Sequence, residues 1–231
     1  MKQQIEFRYY KNSIQLLETF SNFLIEAMHC ECLEKLHQSN MLCSGSLKRG
    51  TDQSTAAHLS VYKEFDQGLD SALVQSYRSL CAEWISELSR NFGIESWAIQ
   101  RYPSLRVQLP SNISVFEFHR DSDYQHPFGE INHFLSLTRA ENSSTLYVEE
   151  HLGWNDFKPL NLQPAQSAII NTSVFRHGDY INSEGYTRVS IDFRAIPKDV
   201  LDNHKNLKSI TKSRRLDCSD YFIDSNKIFL E

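Results

Sequence analysis

Apolar residues recur at steps of three and four through the first third of the chain. Ile14, Leu17, Phe20, Phe23, Leu24, Ala27 and Met28 share one helical face, with Asn12 or Ser13 placed to cap its start. A second stripe, Leu73, Val74, Tyr77, Leu80, Cys81, Trp84, Ile85 and Leu88, ends just before Gly93, a natural helix stop. Trp84 and its neighbours read as core. Residues 39–56, between the stripes, are polar and Gly/Ser-bearing and read as a loop. Beyond Gly93 the period falls to two. Leu105, Val107 and Leu109 alternate with Arg106 and Gln108, and Pro110-Ser111-Asn112 marks a turn. Strands are expected at 97–101, 105–109, 113–119, 131–138, 145–148, 168–171, 174–177 and 187–193. Short strands following two helices predict a mainly β protein, an antiparallel barrel or sandwich flanked by helices. From Lys198 the chain turns polar, and Lys212, Arg214 and Arg215 read as solvated surface.

Composition narrows the function classes. Hydrophobic residues make up 40% and charged residues 23% of 231, enough to bury a core and unlike a disordered tail. With 24 Lys and Arg against 29 Asp and Glu, the net charge of -5 lacks the basic footprint of a nucleic-acid binder. No apolar run approaches a membrane span, and the N-terminus has no apolar leader segment. The cysteines, Cys30, Cys32, Cys43, Cys81 and Cys218, are odd in number and irregularly spaced, which argues against a disulfide framework. A reduced, cytoplasmic protein is expected.

The richest chemistry lies in Phe116-Glu117-Phe118-His119-Arg120-Asp121. On a strand, residues two apart share a face, so His119 and Asp121 project together. An imidazole beside a carboxylate suits Fe(II), Mn(II) or Zn(II). His177-Gly178-Asp179 is a second such pair, and spacing separates the two. From Asp121 a strand-rich span of 56 positions leads to His177 as third ligand, and eleven positions later comes Arg188. Arg188 and Ser190 share a strand face, with Val189, Ile191 and Phe193 on the other. A guanidinium beside a hydroxyl suits a carboxylate. The rival order, His177 and Asp179 with His204 and Arg215, leaves only 25 positions from Asp179 to His204, too little chain for the intervening strands, and the sequence around His204 is polar and not strand-like.

The order His-x-Asp, distal His, Arg-x-Ser resembles that of the Fe(II)/2-oxoglutarate-dependent oxygenases. Residues 103–197 as a whole are similar to a bacterial branch that includes a streptomycin-biosynthesis oxygenase, through PSLRVQLPSN, FHRDSDYQHPFGEIN, FLSLTRAENSSTLYVEE and TRVSIDFRAIP. The resemblance implies a double-stranded β-helix, a cupin-like jelly roll, packed against the N-terminal helices. It implies that His119, Asp121 and His177 hold Fe(II), that Arg188 and Ser190 hold the distal carboxylate of 2-oxoglutarate, and that O2 is the oxidant. Related halogenases lack the carboxylate, so Asp121 implies hydroxylation as the default outcome, although desaturation or ring closure uses the same site.

One domain is expected, with 1–95 as helical support, 96–197 as the β-helix core and 198–231 as a C-terminal extension. Asn132, at the start of the strand after the metal-binding loop, is a candidate contact of 2-oxoglutarate or substrate, or simply a hydrogen bond to a loop. Tyr124 and His126, in the loop after Asp121, are expected at the pocket mouth against substrate. Arg106 and Gln108 are candidates for polar substrate groups if their face is the interior. His29, Cys30, Cys32 and His37 suggest zinc, but on a helix Cys30 and Cys32 point about 200° apart, which opposes a shared site. Asp179 is expected to orient a neighbour rather than bind metal. The substrate is expected to be a small polar metabolite: a sugar, an aminocyclitol or an amino acid, free or carrier-bound. The alternatives are a jelly-roll binding module without turnover and a cupin-type metalloenzyme without 2-oxoglutarate. The second leaves Arg188 and Ser190 unexplained.

Overall fold

The computed structural model describes residues 1–42, 55–113, 118–204, 207–209 and 214–230. Cys43, Lys212, most of the expected 39–56 loop and the middle of the expected 113–119 strand lie outside them. In chain order the elements are β1 (Glu6–Tyr9), α1 (Lys11–Met28), α2 (Ala56–Phe65), α3 (Ala72–Phe92), β2 (Trp97–Gln100), β3 (Ser104–Gln108), β4 (Ile131–Ser136), β5 (Leu146–Glu149), β6 (Phe157–Pro159), β7 (Gln166–Ile170), β8 (His177–Asp179), β9 (Arg188–Pro197), α4 (Lys198–Asn203) and β10 (Phe222–Asp224).

The strands form two antiparallel sheets. The larger runs β1-β7-β4-β9-β2-β10, with β3 also on β9, and the smaller runs β6-β5-β8. β9 organises the larger sheet. One edge carries β4; the other carries β3 opposite Arg188–Asp192 and β2 opposite Ala195–Pro197. Its apolar alternates Val189, Ile191, Phe193 and Ala195 pack in one core cluster with Leu16, Phe20 and Leu24 of α1 and Tyr77, Leu80 and Trp84 of α3. The opposite face of the sheet packs Phe134, Ala168 and Ile170 against Leu146 and Val148 of the smaller sheet. Two facing sheets backed by helices agree with the expected jelly roll. Among the described residues no helix is long and apolar enough to cross a membrane.

α3 buries the apolar set read from the sequence, starts at a Ser71 cap and stops at Gly93, whose φ of 66° is the left-handed turn that glycine adopts without strain. α1 differs in phase. It starts at Lys11 after Tyr10, and its buried line is Ser13, Leu16, Phe20, Leu24 and Met28, leaving Ile14 exposed. Asn12 does not cap it: its backbone and side-chain amides both donate to Glu83 of α3, 2.9 Å each, so helix docking outweighs local capping. α1 also ends at Met28, with His29 left-handed, so Cys30 and Cys32 are not helical and the angular argument does not apply to them. They join no candidate metal cluster among the described residues, and His37 instead pairs with Thr187, 2.9 Å away.

Three strands, β1, β6 and β10, have no counterpart in the expectation, and the 174–177 strand forms later, as β8. The largest correction is at the C-terminus. The polar tail returns as β10 to pair with β2, and Leu216, Tyr221 and Phe222 join Ala98, Ile196 and Leu201 in a third apolar cluster. Arg214 is tied to Asp220, 2.7 Å away, within that return.

Candidate metal and co-substrate site

His119 and His177 meet backbone to backbone. Each donates its N–H to the other's carbonyl, at 3.1 and 2.9 Å, so the two imidazoles leave neighbouring positions. Gly178 makes this possible. It lies under Phe118, and a Cβ there would stand 3.1 Å from Phe118 Cγ and 3.2 Å from its Cα. Asp121 is not on a strand. It opens a 3-10 turn, Asp121–Tyr124, and its N–H donates to the carbonyl of Thr172 at 2.8 Å. The turn still brings its carboxylate to the histidines. Oδ1 lies 3.9 Å from His119 Nε2 and 3.7 Å from His177 Nε2.

The other oxygen, Oδ2, faces away and is saturated. It accepts from Thr172 Oγ1 at 2.6 Å, from Arg194 Nε at 2.9 Å and from Arg194 Nη2 at 2.8 Å. Asp121 therefore offers a single oxygen to whatever the histidines hold. Burial alone would raise its carboxyl, but Arg194, His177, His126 and the Thr172 hydrogen bond together hold it well below the usual carboxylate range. Burial pushes His177 down to about 4, with Asp121 opposing. The triad is thus poised as one carboxylate and a neutral imidazole, the protonation states that metal ligation requires. An ion ~2.1 Å from each donor fits after modest closure of the 3.9 and 3.7 Å separations between Oδ1 and the two imidazoles. The residues present suit a divalent first-row metal.

Arg188 is fully buried between the sheets. Its Nε donates to Gln108 Oε1 at 3.1 Å, its Nη1 to Ser190 Oγ at 3.1 Å and its Nη2 to Asp179 Oδ2 at 2.9 Å. Asp179 thus anchors the guanidinium, as a residue that orients a neighbour. Arg188, Arg106, Asn132, Phe134, Thr172, His177 and Asp192 line a pocket that the triad borders through His177.

Donor counting fixes the Asn132 amide. Thr172 has one hydroxyl proton, which goes to ionised Asp121, so its oxygen must accept from Asn132 Nδ2, 3.2 Å away. Asn132 Oδ1 is then left buried on the pocket wall with no partner among the described residues.

The remaining expected residues separate. Tyr124 stays beside the metal site, its ring edge-on to His119 with centroids 5.0 Å apart. Arg106 lines the pocket but is engaged by Asp192, with Nε 2.6 Å from Oδ1. Gln108 braces Arg188 and donates to the Tyr180 carbonyl at 2.7 Å, so it supports the arginine rather than facing a substrate. His126 is a correction: it is buried, not at the mouth, with Nδ1 3.0 Å from Glu130 Oε2 and its ring edge-on to Tyr221. Its aromatic body follows the apolar packing beneath the loop, and its polar tip follows the nearest buried carboxylate.

Arg194, Thr172 and Asp192 are missed by the motif reading. A signal for two of them was present: the alternation Arg188, Ser190, Asp192, Arg194 simply continues inward along β9. Thr172 carries no sequence signal, because its partner is 51 positions away.

No protein-family model matches the chain. The streptomycin biosynthesis protein StrG of Streptomyces griseus is 30% identical over 173 residues, which cover 75% of this chain and 76% of StrG. AviO1 from Streptomyces viridochromogenes Tue57 superposes over 84% of this chain and 90% of its own, with a TM-score of 0.47 and 13% identity. The non-heme alpha ketoglutarate dependent epimerase SnoN from nogalamycin biosynthesis gives a TM-score of 0.44 at 12% identity, over 54% of this chain and 57% of SnoN. The chain therefore spans little more than half of SnoN.

Proposed function

Because the chain belongs to the StrG-type branch of the Fe(II)/2-oxoglutarate-dependent oxygenases, we propose that it oxidises a small polar metabolite, a sugar, aminocyclitol or amino acid, by hydroxylation. His119, Asp121 and His177 are the ligands of Fe(II), and Arg188 and Ser190 receive the distal carboxylate of 2-oxoglutarate. Bound together, iron and 2-oxoglutarate supply the oxidising chemistry: one atom of O2 enters the substrate, the other enters succinate, and carbon dioxide leaves. The protein's own part is geometric and electrostatic. Arg194 and Thr172 hold Asp121 to one donating oxygen. Burial keeps His177 neutral. The pocket wall also carries Asn132 Oδ1, an acceptor with no donor among the described residues. An acceptor repels a carboxylate and attracts O–H or N–H, so Asn132 contacts a hydroxyl or amino group of the substrate rather than the co-substrate. Tyr124 borders the same space from the His119 side.

The observation that carries this reading is the convergence of two imidazole nitrogens on one oxygen of a buried, ionised carboxylate, in a pocket that also holds Arg188. Anaerobic addition of Fe(II) and 2-oxoglutarate tests it through the weak visible charge-transfer band of the chelate. Succinate release across a panel of polyols, amino sugars and amino acids then tests the substrate class. A band without succinate release from any compound would favour a binding module. Metal binding without the band would favour a cupin-type enzyme that does not use 2-oxoglutarate.

A further inference from the structure

Arg194 is braced from behind as firmly as it grips Asp121. Its Nη1 donates to the Tyr221 phenol oxygen at 3.1 Å and to Gln100 Oε1 at 3.2 Å. Gln100 is itself fixed, because its Nε2 donates to the Tyr102 carbonyl at 2.6 Å and so turns Oε1 toward the arginine. Tyr221 is held on both sides. Its carbonyl accepts from Arg101 N at 2.9 Å, its N–H donates to the Arg215 carbonyl at 3.2 Å, and its ring meets that of His126 edge-on. Just beyond it, Phe222 registers opposite Gln100 in the β10–β2 pair. Nη1 also lies 3.5 Å from Asp192 Oδ2. Its two hydrogen-bond acceptors come from the last residue of β2 and the residue just before β10, strands locked together by backbone hydrogen bonds.

A guanidinium is planar and rigid, so fixing Nη1 fixes the direction of the Nε–Nη2 edge. That edge occupies Asp121 Oδ2 and leaves only Oδ1 toward His119 and His177. The tail beyond Lys198, which reads as a polar C-terminal extension in the sequence, thus reaches the candidate metal centre through two hydrogen-bonded steps.

We propose that Tyr221 is a positioning residue for the metal site, and that the C-terminal return completes that site by fixing Arg194 and, through it, the single-oxygen presentation of Asp121. The proposal rests on the metal-site reading above. Tyr221 touches neither metal nor substrate. It acts only through Arg194.

The test uses the full chain and Co(II) added anaerobically without 2-oxoglutarate, followed by the visible spectrum of the bound ion. Tyr221→Phe keeps the ring against His126 and Phe222 and removes only the hydroxyl. Outer partners of metal ligands typically contribute 10–100-fold to affinity, and one brace among several should contribute at or below the low end, so Co(II) affinity is expected to fall about 5- to 10-fold. The spectrum should change with it. Ile223→Val, in β10 and packed in the core cluster shared with the helices, is the control for stability alone. It should lower the thermal midpoint and leave Co(II) affinity within twofold. Arg194→Gln should weaken binding more than Tyr221→Phe, and the double variant should be no weaker than Arg194→Gln, because the tyrosine has nothing left to hold. Co(II) affinity within twofold of wild type in Tyr221→Phe, equal weakening in Ile223→Val, or additive losses in the double variant would each overturn the proposal. Failure of the unmodified protein to bind Co(II) would instead overturn the metal site, a separate result.

Discussion

The two faces of β9 share ten residues and one backbone, and they obey different physics. Toward the helices, Val189, Ile191, Phe193 and Ala195 are fully buried among apolar neighbours, with Phe193 edge-on to Tyr77 and Trp84. Toward the smaller sheet, Arg188, Ser190, Asp192 and Arg194 are equally out of water, but each charge is matched: Arg188 by Asp179, Asp192 by Arg106, Arg194 by Asp121. Burying apolar area stabilises the fold whatever its detailed shape. Burying paired charges roughly breaks even, and losing one partner strands the other. The strand therefore keeps its stability on one side and its chemistry on the other, and substitutions should divide the same way.

The largest effect belongs to the inner side. His177→Ala or Asp121→Ala should abolish succinate formation and weaken metal binding severely, while far-UV circular dichroism stays as in wild type. Full turnover in His177→Ala would mean the triad is misassigned. Arg188→Ala should come next, weakening 2-oxoglutarate binding by ~3–5 kcal/mol through loss of a buried charged partner, while Co(II) affinity moves far less. Arg188→Lys should rescue it poorly, since an ammonium cannot reproduce the fork. An unchanged anaerobic 2-oxoglutarate titration in either variant would place the carboxylate site elsewhere.

On the outer side, Phe193→Ala should cost about 3–4 kcal/mol of unfolding free energy in urea, with metal affinity of the folded fraction kept. An affinity loss of similar size would erase the distinction between the faces.

A pH experiment sharpens the contrast further. His133, on the helix-facing side of β4, is stacked on Phe193, and burial lowers it to about 3. The unfolded chain binds a proton below about pH 6.5 that the folded chain refuses, so stability present above that pH falls as the medium is acidified, by ~2 kcal/mol at pH 5. Urea midpoints at pH 7 and pH 5 should differ by more in wild type than in His133→Leu. Equal differences would place the acid sensitivity in another group. The smallest effect is Ser190→Ala, about 1 kcal/mol in 2-oxoglutarate binding for one hydrogen bond, with stability nearly unchanged.

What could be read from sequence followed the length scale of each interaction. The α3 stripe and the β9 alternation are local patterns, visible in a few consecutive residues, and their places in the structure follow the reading closely. The His-x-Asp pair still meets, but through a 3-10 turn at Asp121 and not the shared strand face that the spacing predicts. Arg194 was within reach by extending that alternation two more steps. The phase of α1 was not, because Glu83 of another helix decides where Asn12 goes. His126 and Tyr221 were beyond reach as well. His126 is drawn inward against Tyr221 and Tyr221 onto Arg194, partners distant in sequence, although the Glu130 that meets the imidazole's polar tip is only four residues on. The C-terminal return is polar enough to pass for surface, since its few apolar residues, Leu216, Tyr221 and Phe222, fall outside any periodic run.

Gly178 limits how this pocket can be remodelled. Its neighbours His177 and Asp179 both face inward, so a library aimed at altered specificity would naturally vary the whole of β8. The middle position is closed to such variation. Even the methyl of Gly178→Ala would press within 3.2 Å of the Phe118 Cα, so that backbone must give by a few tenths of an ångström, and the next residue is His119. The damage would be displaced along the chain, appearing as a misplaced ligand across the strand rather than as a reshaped wall. Diversity is better sought at Asn132, where a changed side chain meets the cavity and not the scaffold of the histidines.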